Sequence, residues 1–231
     1  MKTKFSAFIA VIVFFLLGAT TISAQGTKVN FKKNGVTVFQ SAISDIDSIV
    51  FKETNDEPVG DWVLINGVKW ATRNVGAQNP EDYGNYYQWN KGTTDFLLYG
   101  DYYNSVYCNS TTWLPANDPS PAGYRVPTMA EIESLRNTTY VTYEWTTRNG
   151  VNGGKFTDKA NGNSIFLPAA GCRYDYDGTL YSVGSLGFYW SSTQNETYDT
   201  LAYYLAFLSD SLYWANWDNK SIGYSVRPVA K

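Results

Sequence analysis

The chain has 231 residues, of which 17% are aromatic (8 Trp, 19 Tyr, 12 Phe) and only 17% charged, against roughly 25% charged in an average soluble domain. With zero His and two Cys it lacks an imidazole for a nucleophilic triad, a His-ligated zinc site and a Cys-only zinc site. The net charge is −3, and becomes −5 if Lys2 and Lys4 leave with the first residues, so binding to nucleic acid through a basic field is disfavoured and no nucleic-acid partner is expected.

In chain order, Lys2 and Lys4 precede an almost wholly apolar run from Phe5 to Ala19. That run is short for a bilayer span of about 20 residues and reads as the core of a secretory signal peptide, residues 1–24, with cleavage after Ala24. No Cys follows the run to accept a lipid. The expectation is an exported protein, secreted or held at the outer cell surface, with no transmembrane span after cleavage; an uncleaved N-terminal anchor is the alternative.

Residues Lys28 to Val38 alternate apolar and polar positions around Asn34-Gly35, a dipeptide suited to the positive φ angles of a tight hairpin turn. Residues 25–52 therefore read as a small β-hairpin segment, too small for a core of its own. The polar stretch 53–60, with Pro58 and Gly60, reads as a linker to a main domain at 61–231.

In that domain Thr128 and Glu131 have capping-box spacing, and Met129, Ile132 and Leu135 mark one buried face, which predicts a helix from Met129 to Asn137. Strands are predicted at Tyr143 to Arg148, Lys155 to Asp158, Ser164 to Leu167, Phe188 to Thr193, Ala202 to Leu208, Ser211 to Asp218 and Ser225 to Val229. Asn149-Gly150, Asn152-Gly153, Asn161-Gly162 and Asp177-Gly178 encode turns among them. The fold class is α+β: mainly short antiparallel strands and loops with one clear helix.

Several strings, in one order, carry a family resemblance: Ile65 to Gly76 (Ile-Asn-Gly-Val-Lys-Trp-Ala-Thr-Arg-Asn-Val-Gly), Tyr83 to Trp89, Pro121 to Thr128, Phe166 to Gly171, Gly187 to Thr193 and Gly223 to Val229. From about Asp61 to Lys231 the chain resembles the Fibrobacter succinogenes major paralogous domain family. Its members occur in secreted proteins of Bacteroidetes and related bacteria. The resemblance implies a C-type-lectin-like fold and no shared activity. The strings are mostly Gly, Pro, aromatic and small residues, which shape backbone and fill cores, so Trp70, Trp89 and Trp190 are expected inside. The sequence departs from the family at Tyr124, in place of Trp, and at Ser120, where the family often has Cys. Cys172 is then the remaining candidate partner for Cys108. A disulfide closing that roughly 64-residue span is worth about 4 kcal/mol; two separate thiols are the alternative.

The C-type-lectin calcium motifs Glu-Pro-Asn and Gln-Pro-Asp are missing, and Trp217-Asp218-Asn219 has the composition of the later Trp-Asn-Asp motif in a different order. Asp175-Tyr176-Asp177-Gly178 reads as a hairpin turn and not as a calcium loop. No metal and no cofactor is implied. The fold also resembles that of formylglycine-generating enzymes, but neither Cys108 nor Cys172 sits in a recognisable reactive motif.

On a strand, Leu212, Trp214, Asn216 and Asp218 share one face, and Tyr213, Ala215 and Trp217 the other, so one aromatic set points outward unless a second layer covers it. Rings beside Asn and Asp suit glycans, because flat rings cover apolar C–H faces while amides and carboxylates meet hydroxyls. Tyr213, Trp217, Asp218 and Asn219 are the candidate ligand surface. Glu196, Asp199, Asp210 and Asp218 are the acids that a glycosidase reading would pair. The expectation is a non-catalytic binding module for a glycan or a surface protein. A structural subunit of a surface assembly, pairing through the N-terminal hairpin, is the rival reading.

Overall fold

The computed structural model describes residues 20–25, 28–33, 36–42, 61–211 and 216–231, the first three segments as backbone. Readings that fall on the leader before Thr20, on 43–60 (the end of the hairpin segment and the linker) and on 212–215 lie outside the described residues. The chain divides into two compact units, Met1–Asp56 and Glu57–Lys231.

In the first unit three strands, β1 (Thr20–Gln25), β2 (Lys28–Lys33) and β3 (Val36–Ala42), form an antiparallel sheet in chain order. Lys33 pairs with Val36, which gives β2 and β3 the two-residue connection that Asn34-Gly35 predicts. β1 adds a strand that the sequence does not announce: Thr20 to Gln25 pairs in register with Lys33 to Lys28.

The second unit opens with a hairpin, β4 (Trp62–Ile65) and β5 (Val68–Ala71), turned by Asn66 (φ 44°) and Gly67 (φ 81°). A short helix, α1 (Tyr99–Tyr103), follows a long irregular stretch. Strand β6 (Tyr124–Arg125) leads into α2 (Met129–Arg136), where the Thr128 hydroxyl accepts from the Glu131 amide and the Glu131 carboxylate accepts from the Thr128 amide. The capping box thus forms as its spacing predicts, and Met129, Ile132 and Leu135 are buried.

Strands β7 (Val141–Arg148), β8 (Val151–Asp158) and β9 (Ser164–Pro168) make an antiparallel meander. Asn149-Gly150 turns the first corner, both residues at positive φ. Asn152-Gly153 is not a turn: it lies within β8, where a Cβ on Gly153 would stand 2.3 Å from the Leu167 carbonyl oxygen. Glycine is needed there for close strand approach. Next come a small hairpin, β10 (Cys172–Arg173) with β11 (Leu180–Tyr181), and a sheet of β12 (Gly187–Gln194), β13 (Leu201–Phe207) and β14 (Asn216–Asn219). The final strand, β15 (Val229–Ala230), lies between β5 and β6 and so joins the start and end of the unit in one sheet.

Alternation along β12 and β13 divides the core in two. Tyr189, Leu205 and Phe207 pack with α2, Trp70, Phe156 and Leu167 on one side, and Trp190, Tyr204 and Ala206 pack with Trp89, Trp113 and Tyr224 on the other. Trp70, Trp89 and Trp190 are buried, as expected of large rings among core-filling glycine-, proline- and aromatic-rich strings. The architecture is mixed, built of small antiparallel sheets with one clear helix. Among the described residues no helix is long and apolar enough to cross a membrane.

Candidate functional site

β14 separates the sequence-derived candidates by its pleat. Trp217 projects outward, 49% exposed, with Tyr198 tilted against it at 6.1 Å between ring centroids. Asp218 turns to the opposite face, accepts a 2.8 Å hydrogen bond from the Tyr224 hydroxyl and one of 2.7 Å from the Asn219 amide. Burial raises its pKa, against the bonds that favour the charged form. Asp218 is therefore withdrawn from the surface that carries Trp217, because adjacent strand residues face opposite ways. Asn219 is half-buried, one step further along β14. Tyr213 lies outside the described residues.

The acids that hydrolysis would need occupy different settings. Glu196 and Asp199 are exposed on the β12–β13 connection, with Asp199 electrostatically coupled to Lys220. Asp210 lines a cavity of about 740 Å³ beside α2 and β7, together with Arg136, Tyr143 and Lys159. Asp175 is buried and accepts from the Ser221 hydroxyl. Among the described residues no group of three or more His, Cys, Asp or Glu is placed to hold a metal ion.

The candidate Cys108–Cys172 disulfide is not formed: both thiols are free and half-buried. Cys108 Sγ lies 3.2 Å from each of the Tyr103 and Ser105 carbonyl oxygens, in the turn after α1, while Cys172 sits in the β10–β11 hairpin. Burial, with Asp218 and Asp175 nearby, pushes the Cys172 thiol up to about 11, the opposite of an activated nucleophile.

A second aromatic surface joins α1 to the β10–β11 hairpin. Tyr181 meets Tyr174 at 5.4 Å between centroids, Tyr174 meets Tyr176 at 5.4 Å, Tyr176 stacks on Tyr99 at 5.8 Å, and Tyr99 meets Tyr103 at 4.8 Å. Tyr176 is 67% exposed, and Tyr99, Tyr174 and Tyr181 are also exposed. Hydrogen bonds fix the segments that carry these rings. The Tyr99 amide donates to the Asp175 carbonyl at 2.8 Å, the Tyr102 hydroxyl to the Trp89 carbonyl at 2.6 Å, and Arg173 Nε to the Gly178 carbonyl at 3.0 Å. The Arg173 guanidinium also lies 4.4 Å from the centre of the Phe96 ring. The Tyr103 hydroxyl donates to the Thr200 carbonyl at 3.0 Å, two residues from the Tyr198 that covers Trp217. Asp177 stands in the hairpin turn, its Oδ1 receiving the Thr179 amide at 3.0 Å and hydroxyl at 2.8 Å. Those bonds, the amide first, hold its carboxyl below the usual range.

Sequence reasoning found the turn at Asp177-Gly178 and its Tyr-rich flanks but not this surface, whose halves are some 70 residues apart in the chain. The available signal was the density of Tyr, at 174, 176 and 181, in and around a tight turn, where loop residues stand at the surface.

A family model described as a domain of unknown function (DUF8237) matches residues 142–229, which include the β10–β11 hairpin and β14 but not α1. No curated protein matches the chain, and no solved structure does.

Proposed function

We propose that the protein is an exported, non-catalytic binding module whose 61–231 region is a C-type-lectin-like domain and whose aromatic surface docks a glycan at or outside the cell surface. The observation that carries this reading is the concentration of exposed, mutually supported rings: Tyr99, Tyr174, Tyr176 and Tyr181 on one element pair and Trp217 with Tyr198 on another. Such rings bury large apolar area at small conformational cost. The fold reading is supported by the short antiparallel strands, the single clear helix and a sheet that unites the unit's first and last strands. Export rests on the basic and apolar pattern of residues 2–19.

The test is a glycan array probed with the protein, with and without calcium, followed by mass spectrometry of every bound oligosaccharide after prolonged incubation. Calcium-independent binding without a change in glycan mass supports the reading. Cleaved glycan, with cleavage abolished by one carboxylate substitution, refutes it in favour of a hydrolase.

One observation favours the assembly reading as a second. The expected cleavage after Ala24 falls inside β1, and would strip from β2 most of the strand that bonds it, since Thr20 to Ala24 pair with Lys33 to Val29. An opened edge is a template for a partner strand. Deleting residues 25–56 should leave glycan binding intact if the module reading is right, and should abolish association with a partner subunit if the assembly reading is right.

A further inference from the structure

Three features of the tyrosine surface restrict what it can hold. The rings form a run of contacts at steps of 4.8 to 5.8 Å, comparable with the length of one sugar ring, so a ligand of several units is long enough to touch more than one of them. β10 and β11 are two residues each, too short an edge to add a peptide strand through its backbone. The charged residues on the segments that carry the rings, 97–103 and 172–181, are Asp101, Asp175, Asp177 and the single cation Arg173, which is engaged with Gly178 and Phe96. This excess of negative charge repels a polyanion.

Resting on the binding-module reading, we propose that the run from Tyr181 to Tyr103 is the bed for an extended, uncharged oligosaccharide of several units, with Asp177 receiving its hydroxyls at the hairpin end. Sugars with equatorial hydroxyls present flat C–H faces that suit the rings. Asp177 Oδ1 is taken by two bonds from Thr179, and Oδ2, which accepts one long bond of 3.4 Å from the Tyr181 hydroxyl, has a second lone pair with which to accept from a sugar. The ring planes range from near-parallel, 9° between Tyr99 and Tyr176, to 70° apart between Tyr174 and Tyr181, so the bed is uneven and fits a single chain better than a flat sheet of parallel chains. The bonds that fix the two segments, with the ring-to-ring contacts, place the rings before the ligand arrives, which limits the ordering lost on binding.

The experiment is isothermal titration of the full chain with gluco-, xylo- and manno-oligosaccharides of two to six units, and with oligogalacturonates of the same lengths. In at least one neutral series affinity should rise about tenfold or more between the dimer and the longest member, with the acidic series at least tenfold weaker. Tyr176→Ala should remove most of that gain, about tenfold for the hexamer, while changing the dimer little and leaving the melting temperature unchanged, as befits a side chain that is 67% exposed. Equal affinity for the acidic series overturns the proposal. So does length-independent binding that Trp217→Ala abolishes and Tyr176→Ala spares, although the binding-module reading then stands at the other aromatic site. Failure of every oligosaccharide, in titration and on the array alike, overturns both.

Discussion

Replacing Arg227 by methionine removes a guanidinium that ties three parts of the fold together. Its Nε donates to Asn74 Oδ1 at 2.9 Å, one terminal nitrogen to the Ala71 carbonyl at 3.0 Å and the other to the Phe166 carbonyl at 3.0 Å, so β5, the loop after it and β9 meet at one buried side chain. All three acceptors are amide oxygens, and burial pulls the guanidinium pKa down to about 10, so it remains charged at neutral pH. Bonds to a charged donor are worth about 1.5–3 kcal/mol each, and relief from burying the charge returns several kcal/mol. Methionine keeps most of the stem packing, which leaves a net loss of about 3 kcal/mol. For a unit of this size that is a fall in melting temperature of about 6–12 °C. Urea unfolding followed by circular dichroism reads the same change as a lower midpoint with unchanged slope. Equal or greater stability of Arg227→Met would refute the reasoning, since desolvation of the guanidinium would then outweigh its three bonds.

Three further outcomes follow from the same geometry. Lys220 is buried, with its ammonium 4.4 Å from the Trp89 ring centre and bonded to the Ser110 carbonyl at 3.0 Å and Gln194 Oε1 at 2.8 Å, and burial lowers its pKa to about 8. Between about pH 8 and 9 the unfolded chain holds more protons at this residue, so stability should rise with pH; above about pH 9 the raised pKa of Cys172, joined above about pH 10 by those of buried Tyr189 and Tyr224, opposes and then reverses the rise, and Lys220→Met should abolish the rise in a pH series of urea midpoints. Gly187→Ala should destabilise by about 1–3 kcal/mol, because the new Cβ would meet Phe207 ring atoms at 2.1 to 2.6 Å; an unchanged urea midpoint would show that Phe207 can move aside. Timed alkylation at pH 7 without reductant should label Cys108 well before Cys172, whose thiol sits near 11, and denaturation should release both; mass spectrometry showing a non-reduced link between them would contradict the free thiols.

Local chemistry made much of the fold legible. The Thr128-x-x-Glu131 box set the start of α2, and Asn149-Gly150 set the β7–β8 corner. The same rule misread Asn152-Gly153, because a glycine required by the close Leu167 carbonyl has the same sequence as one required by a turn. Asn66-Gly67, at positive φ on the β4–β5 corner, carries the same turn signal. Trp217 emerged from alternation along its strand, which also sends Asp218 to the inner face, so grouping the two as one surface overlooked the pleat. The tyrosine run was hidden for a different reason: exposed and buried tyrosines look alike in sequence, and only the tertiary contact between Tyr99 and Tyr176 makes one surface of two segments.

Hydroxyl-radical footprinting of the protein, alone and saturated with the tightest glycan found on the array, tests most directly whether these exposed rings are a docking surface. The expected result is protection confined to the exposed rings: Tyr99, Tyr174, Tyr176 and Tyr181 for a glycan held on the tyrosine run, and Trp217 with Tyr198 for one held at β14. Protection centred instead on the walls of the 740 Å³ cavity at Tyr143 and Lys159, with those rings unchanged, would contradict it.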